Sequence, residues 1–400
     1  MFTLRPLLQK PALFIVLLGL TALTSGCAAI ASRNALPPAE ANKIELDGFH
    51  NIRFWGDGSP NELREFMNAY SDGREVHRSL STTLAISGGA EDGAFGAGLL
   101  VGWSDAGTRP TFDLVTGVSS GALIAPFAFI GSSRDAELRE MFTKYGRKDI
   151  FAYNVPNLLE GSSLVDDSPL AKLIAKYVDG NFLQEIARER SRGRILLIGT
   201  TDLDAQRPVI WDMGRIAMSN DPQALALFRK ILLASATLPG IFPPVRIQVR
   251  VGDQNYDELH VDGGVTRQVF VAPTIVSVGP DHRRSSVIPK PRIFVIRNGR
   301  IDPEWQSTSE NLVSITQRSI STLIKNQGVG DLYRIYSIAR QDGMDFNLAS
   351  IPQDFRVNSD QPFDQQYMNA LFDRAYSMAV HNYHWARVPP GLEATAHASN

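Results

Sequence analysis

The chain has little cysteine, little excess charge and no hydrophobic run long enough to cross a bilayer. Its 400 residues contain one cysteine, Cys27, which excludes an internal disulfide and a cysteine-rich metal site. The 40 Lys and Arg residues against 42 Asp and Glu residues leave a net charge of −2, so no basic excess is available for a phosphate backbone. Nucleic acid is therefore not an expected partner. The 44% of apolar residues indicate a globular chain with a large core.

The N-terminus has the order of a secretory signal. Arg5 and Lys10 precede an apolar segment at 12–23, which is shorter than the roughly 20 residues of a membrane-spanning helix. Gly26-Cys27 resembles the cleavage site of bacterial lipoproteins, although Thr24 stands where these usually have Leu, Val or Ile. We expect a lipoprotein-type signal peptide at 1–26 and lipid attachment at Cys27; a plain cleaved signal or a retained anchor are the alternatives. The expected location is the bacterial cell envelope, on the periplasmic side, with an outer-membrane anchor.

Beyond the signal, the pattern predicts a tether and N-terminal lead-in at 27–80, with a short helix at 61–70. From residue 82 onward, apolar strand-like runs alternate with helical stretches, which favours an α/β sheet covered by helices. Strands are predicted at 82–87, 112–116, 194–200, 209–212, 259–261 and 292–296. Helices are predicted at 93–106, 119–130, 168–178, 181–189, 221–235, 310–326, 331–341 and 364–383. This assigns 81–300 to one α/β domain and 301–400 to a mainly helical C-terminal extension.

A candidate nucleophile lies in Gly117-Val118-Ser119-Ser120-Gly121, between a predicted strand and a predicted helix. Small residues on both sides of Ser119 permit the tight strand-to-helix turn of a nucleophile elbow. The N-terminus of the following helix favours the negative charge that develops during acyl transfer. The alternative is a glycine-rich connection without chemistry.

A second glycine-rich turn, Ser87-Gly88-Gly89-Ala90-Glu91-Asp92-Gly93, also joins a strand to a helix. Its backbone N–H groups could hold an anion, either a phosphate or the oxyanion of a tetrahedral intermediate. Ala90 breaks the Gly-x-Gly-x-x-Gly pattern of dinucleotide sites, and no Walker motif follows. We expect Asp92 to cap the next helix through its carboxylate.

A catalytic serine needs a general base. None of the seven histidines lies in a local triad motif, whereas Asp262 ends a predicted strand and is followed by Gly263-Gly264, which leaves the carboxylate exposed at the strand end. An ordinary strand-to-turn signal is the alternative.

Together and in this order, the glycine turn, the Ser119 motif, the block at 234–244 (Ser-Ala-x-x-Pro-Gly-x-Phe-Pro-Pro from Ser235) and Asp262-Gly263-Gly264 resemble the patatin-like phospholipase family. The resemblance covers about 82–273. It implies a three-layer α/β/α hydrolase core and a Ser119–Asp262 dyad without histidine. It also implies an oxyanion hole at Gly88, Gly89 and Ala90, and chemistry without a metal or cofactor.

Two positions depart from the family pattern: Ala90 replaces a third glycine, and Asp92 replaces Arg or Lys. The expected function is an esterase that cleaves acyl esters of membrane lipids. One alternative is a catalytically weak lipid-binding envelope protein. Another is an α/β-hydrolase that pairs Ser119 with His381 or His384. The sequence leaves open whether the C-terminal helices cover an acyl pocket.

Overall fold

The computed structural model describes residues 33–59, 61–63, 66, 81–153, 165–272, 290–305, 307–359 and 361–392. The expected signal peptide, Cys27 and most of the helix predicted at 61–70 lie outside these residues. No helix within the described ranges combines the length and the apolar character that a membrane span requires.

Among the described residues, a mixed sheet of nine strands forms the centre of the fold. In chain order the strands are β1 (Arg53–Trp55), β2 (Thr82–Ile86), β3 (Leu114–Val118), β4 (Ala152–Tyr153), β5 (Val165–Asp166), β6 (Ile195–Asp202), β7 (Arg207–Asp212), β8 (Val245–Val251), β9 (Gln254–Asp262), β10 (Arg292–Arg297) and β11 (Asp345–Ser350). The main path across the sheet is β1-β7-β6-β3-β2-β10-β11, while β9 pairs with both β6 and β8; β4 and β5 form a separate small sheet.

The strands that carry the glycine turn and the serine motif run parallel and side by side. β2 pairs in parallel with β3 and with β10, and β3 pairs in parallel with β6. Every residue of β2, β3 and β6 is buried, as is typical of parallel strands covered on both faces. The carboxyl ends of these strands meet at one edge of the sheet, so the loops after Ile86, Val118 and Arg297 lie together.

Helices cover both faces of the sheet, which confirms the predicted α/β class. They are α1 (Gly93–Asp105), α2 (Ser120–Ile130), α3 (Asp135–Thr143), α4 (Arg147–Ile150), α5 (Ser168–Tyr177), α6 (Gly180–Ser191), α7 (Met213–Met218), α8 (Ala224–Ala236), α9 (Leu312–Gln341) and α10 (Gln365–Val380). On one face, side chains of α1, α2, α8 and α10 form a core with Leu84 and Ile86 of β2. On the other face, Leu332 and Ile335 of α9 pack in a core with Ala85. Successive side chains of β2 therefore point into the two cores in turn, as expected of a strand that is buried on both faces.

The C-terminal region is part of the sheet architecture. β11 extends the sheet by pairing in parallel with β10, a strand that the helical prediction for 301–400 did not include. The two helices predicted at 310–326 and 331–341 form one helix, α9. A Cβ on Gly328, which lies between the two predicted segments, would be 3.0 Å from the Arg297 guanidinium carbon. This glycine therefore serves close packing within a continuous helix.

Other differences concern short elements and strand ends. β1, β4, β5, β8, α3, α4 and α7 are not in the prediction. β8 had a usable signal, because buried Val245, Ile247 and Val249 alternate with exposed polar residues. The strand predicted at 112–116 lies at Leu114–Val118, so it extends to the residue before Ser119.

Candidate active site

Ser119 lies on a strained turn between β3 and α2. Its φ of 57° and ψ of −128° are rarely adopted by a residue other than glycine. The turn is packed closely, because a Cβ on Gly121 would lie 2.4 Å from the Ile86 carbonyl oxygen. Ser119 is half-buried, whereas Ser120 is buried. The expected elbow is therefore present, with the serine accessible at the amino end of a helix.

Ser235, at the end of α8, fixes the backbone of the elbow. Its Oγ accepts the Ser119 N–H at 3.0 Å and donates to the Gly199 carbonyl oxygen at 2.7 Å. Two residues later, the Thr237 carbonyl oxygen accepts the Asp262 N–H at 3.0 Å. The block at 234–244 thus connects the serine and the aspartate through hydrogen bonds. At the level of sequence, this block is only part of a family resemblance, and it predicts no role for Ser235.

Asp262 ends β9 next to Ser119. Antiparallel pairing of β9 with β6 places Asp262 opposite Thr200, and the side chain is buried. Burial raises the pKa of the carboxyl to about 6, while hydrogen bonds from the Ser119 hydroxyl and the Gly264 N–H oppose the rise. The Gly264 bond measures 2.7 Å. The carboxylate is therefore ionised at neutral pH and placed to accept the serine proton.

The glycine turn after β2 differs in detail from the expected oxyanion hole. The Gly88 N–H donates to the Gln268 carbonyl oxygen at 3.0 Å, so it is not free for an oxyanion. A Cβ on Gly88 would lie 2.9 Å from the Ser119 Cβ, so glycine at this position lets the turn approach Ser119 closely. Within the described ranges, the N–H groups of Gly89 and Ala90 have no hydrogen-bond partner. Ala90 adopts a φ of 48° despite its Cβ.

Arg297 and Asn298, at the end of β10, hold the glycine turn in place. The Asn298 Nδ2 donates to the Ser87 carbonyl oxygen and its backbone N–H to the Ser87 Oγ, both at 2.8 Å. The buried Arg297 guanidinium donates to the Gly88 carbonyl oxygen at 3.0 Å. The sequence predicted the strand but not these roles, because they depend on the pairing of β10 with β2 in the sheet.

Asp92 does not cap α1, so that prediction is wrong. Its backbone is helical, with φ −64° and ψ −11°, and its side chain makes no capping hydrogen bond. Instead, the Tyr367 hydroxyl of α10 donates to its Oδ1 at 2.5 Å. Burial raises the pKa of the Asp92 carboxyl to about 6, and the positive charge of Arg297 opposes the rise. A residue already in helical conformation cannot turn its carboxylate back to the first N–H groups, which explains the difference.

A cavity of about 760 Å³ opens beside Ser119, Asp262 and Asp92. Most of its wall is apolar, with contributions from Leu123, Met141, Phe142, Ile150, Phe151, Val165, Leu170, Leu173, Leu238, Ile241, Phe242, Phe363 and Met368. Met368 of α10 and several residues of α9 line the cavity, so the C-terminal helices do cover part of it. An apolar wall next to a few polar groups suits an acyl chain attached to a polar ester.

The histidines considered for a triad lie elsewhere. His381 and His384 line a separate depression together with Tyr383. The His381 Nδ1 is 2.7 Å from the Ser377 carbonyl oxygen, on the same helix. Within the part of the chain that the structure describes, no histidine lines the cavity at Ser119.

One cluster has the residue types of a metal site. Ligand atoms of Asp202, Glu258 and His260 lie within 4.8 Å of one another. However, the Arg53 guanidinium donates to both oxygens of Glu258, and the His260 Nε2 is 2.9 Å from Glu258. A cation would have to displace this guanidinium. We therefore interpret the cluster as a buried ion-pair network that supports β9.

Comparisons with known proteins find similarity over the part of the chain that carries this site. The model of the patatin-like phospholipase family matches residues 84–275. Two patatin-like phospholipase domain-containing proteins of Pyricularia oryzae are 27% identical over 195 residues, which is 46% of this chain and 23% of theirs. Residues 84–275 are therefore similar to the patatin-like phospholipase family, and the chain spans about a quarter of the length of these relatives.

Two solved structures also match. VipD from Legionella pneumophila is 11% identical, with a TM-score of 0.33 over 76% of this chain and 67% of that one. Human GIVD cytosolic phospholipase A2 is 10% identical, with a TM-score of 0.30 over 79% of this chain and 60% of that one.

Proposed function

We propose that the protein is a serine lipid acyl hydrolase that cleaves carboxylic esters of membrane lipids, of the phospholipase A or lysophospholipase type. The observation that carries the proposal is the position of Ser119. It lies on a strained elbow at an apolar cavity of about 760 Å³, with its hydroxyl close enough to the Asp262 carboxyl to lower the pKa of that group.

In the proposed reaction, the Ser119 Oγ attacks the ester carbonyl carbon while Asp262 takes the hydroxyl proton. The N–H groups of Gly89 and Ala90 stabilise the oxyanion of the tetrahedral intermediate. Collapse of the intermediate breaks the bond between the acyl carbon and the alcohol oxygen. The alcohol leaves with the proton from Asp262, and the acyl group remains on Ser119 as an acyl-enzyme. Water then attacks the acyl-enzyme as Asp262 accepts its proton. The second intermediate releases the fatty acid and returns the proton to Ser119.

The cavity wall supports a lipid as the source of the ester. Its apolar residues would bury an acyl chain, and each CH₂ removed from water contributes about 0.8 kcal/mol. Ser119, Asp262 and Gln268 line the same cavity, where the ester group would lie. For location, we propose attachment at Cys27 in the bacterial cell envelope, on the periplasmic side, because residues 1–27 resemble a lipoprotein signal.

A hydrolysis screen over phospholipids, lysophospholipids and acylglycerols tests the proposal. The protein should release fatty acid from at least one class, and Ser119→Ala and Asp262→Asn should lose this activity while remaining folded. Ser104→Ala is a matched control, because Ser104 lies on α1 and its Oγ donates to the Leu100 carbonyl oxygen away from the cavity. Equal turnover by Ser119→Ala would refute the mechanism.

Asp92 favours a second candidate, a lipid-binding protein with weak turnover. Its carboxylate lines the cavity beside the glycine turn, where a negative charge opposes an oxyanion. An active-site serine probe separates the two candidates. Labelling at Ser119 supports the hydrolase, whereas lipid binding without labelling supports the binding protein.

A further inference from the structure

The amino-terminal half of α9 exposes large apolar side chains to solvent. Leu312 is 81% exposed, Leu323 70% and Ile315 49%. Ile315 and Leu323 follow Leu312 by about one and about three helical turns, so the three side chains share one side of the helix. Single exposed apolar residues are ordinary, but a row of them along one helix indicates an interaction surface. The carboxyl-terminal half of the same helix is different, because Leu332 and Ile335 are buried against the sheet.

This row lies beside the cavity. An adjacent side of the same helical stretch contributes Arg318, Thr322 and Lys325 to the cavity wall. The row and part of the cavity wall are therefore formed by one segment of α9. A molecule that covered the row would lie next to this part of the wall.

Trp305 is a further exposed apolar residue close to the same helix. Its side chain is 92% exposed. The preceding residue, Glu304, is held to α9, because its carbonyl oxygen accepts from Arg318 and its carboxylate pairs with Lys325 at 3.1 Å. Trp305 is thereby placed next to the helix. We refer to Trp305, Leu312, Ile315 and Leu323 as the apolar rim.

The charge of this segment suits a lipid surface. Between Leu312 and Gly330 the sequence contains no Asp or Glu, and its two charged residues are Arg318 and Lys325. Hydroxyl and amide side chains make up most of the remaining polar positions. Lipid headgroups that are zwitterionic or anionic would meet no carboxylate on this stretch of helix.

We propose that the apolar rim inserts into the headgroup region of a lipid bilayer and thereby sets the cavity opening against the membrane. Amphipathic helices bind bilayers in this way, with the apolar side buried at the boundary of headgroups and acyl chains. Trp305 suits this region because indole combines an apolar ring with an N–H donor. The proposal rests on the proposed lipid substrate: a lipid would pass from the bilayer into the cavity without crossing water.

Vesicle binding tests the proposal without catalysis. The full chain carries Cys27→Ser, to remove the expected lipid attachment, and Ser119→Ala, to prevent turnover. Against phosphatidylcholine–phosphatidylglycerol vesicles, we expect Leu312→Ser/Leu323→Ser to reduce the bound fraction, with a partition coefficient lower by about ten-fold or more. The matched control is Leu203→Ser/Met218→Ser, two exposed apolar residues outside the rim, which should bind as the parent does. Indole fluorescence of the parent should shift to shorter wavelength with vesicles, and Trp305→Phe should abolish most of the shift.

A second measurement separates this inference from the proposed function. With Ser119 restored, the rim variant should hydrolyse a soluble short-chain ester at the parent rate, because Leu312 and Leu323 do not line the cavity. Its turnover of vesicle lipid should fall with binding. Equal vesicle binding by parent, rim variant and control would overturn the inference, even if hydrolysis is found. A rim variant that binds vesicles normally but loses a dimer in sedimentation velocity would assign the rim to a second copy of the chain and also overturn it.

Discussion

Ser235→Ala tests whether the backbone of the elbow is held from α8. The substitution removes the acceptor of the Ser119 N–H and the donor to the Gly199 carbonyl oxygen, both within a buried region. Gly199 lies within β6, where the ladder still pairs it, so the main loss is the acceptor for the Ser119 N–H.

The magnitude follows from two contributions. A buried N–H without a partner costs about 1–3 kcal/mol. The positive φ of Ser119 stores roughly 1–3 kcal/mol, and the strain persists only while the surroundings hold the turn. We expect Ser235→Ala to lower the free energy of unfolding by about 2 kcal/mol. If the freed turn relaxes, a displacement of Ser119 by about 1 Å would lower kcat by up to 100-fold, with little change in KM.

Urea unfolding and steady-state hydrolysis of a nitrophenyl ester measure the two effects. Ser120→Ala is the matched control for stability, because it makes the same chemical change one residue from the nucleophile. Within the described ranges the Ser120 Oγ is buried without a hydrogen-bond partner, so its loss should not lower the free energy of unfolding. Ser235→Ala with the stability and the kcat of the parent would refute the reasoning.

Three further predictions concern the groups around the nucleophile. Because Asp262 must be ionised to accept a proton and its pKa is about 6, kcat/KM should fall as the pH is lowered through about 6; a rate independent of pH between 5 and 7 would exclude this role. Above pH 6, where Asp92 of the parent is ionised, Asp92→Asn should raise turnover several-fold, because the pKa of Asp92 is about 6. Below that pH, where Asp92 is protonated, the variant should match the parent. A ratio of variant to parent turnover that is the same at all pH values would show that the Asp92 charge does not affect the oxyanion. Asn298→Ala should abolish most activity of the folded protein, because the Asn298 amide holds Ser87. Asn347→Ala is the control: it removes a buried amide on β11 and should lower stability but keep kcat. Similar kcat values for both variants would contradict the positioning role of Asn298.

The α/β class and most of the central strands were predictable, because buried parallel strands appear as short apolar runs. The position of the serine turn was predictable for the same reason. Small residues at 117 and 121, between a predicted strand and a predicted helix, indicate a tight strand-to-helix turn, and a Cβ on Gly121 would indeed meet the Ile86 carbonyl oxygen at 2.4 Å.

Contacts between distant segments were not predictable. Asn298 and Ser87 are far apart in sequence and meet because β10 pairs with β2. The Tyr367 hydroxyl reaches Asp92 from a helix in the C-terminal region, and without this partner the sequence favoured a helix cap. The break predicted between residues 326 and 331 is absent from α9, where the close approach of Gly328 to Arg297 depends on the tertiary fold. In each case a local preference was replaced by a long-range contact.

The central claim, that Ser119 is a nucleophile activated by Asp262, is tested most directly by labelling with a fluorophosphonate, followed by peptide mass analysis. The account predicts one adduct, on Ser119, and a labelling rate lower by about 100-fold or more in Asp262→Asn. Absence of an adduct on Ser119, or the same labelling rate in the parent and in Asp262→Asn, would contradict the account.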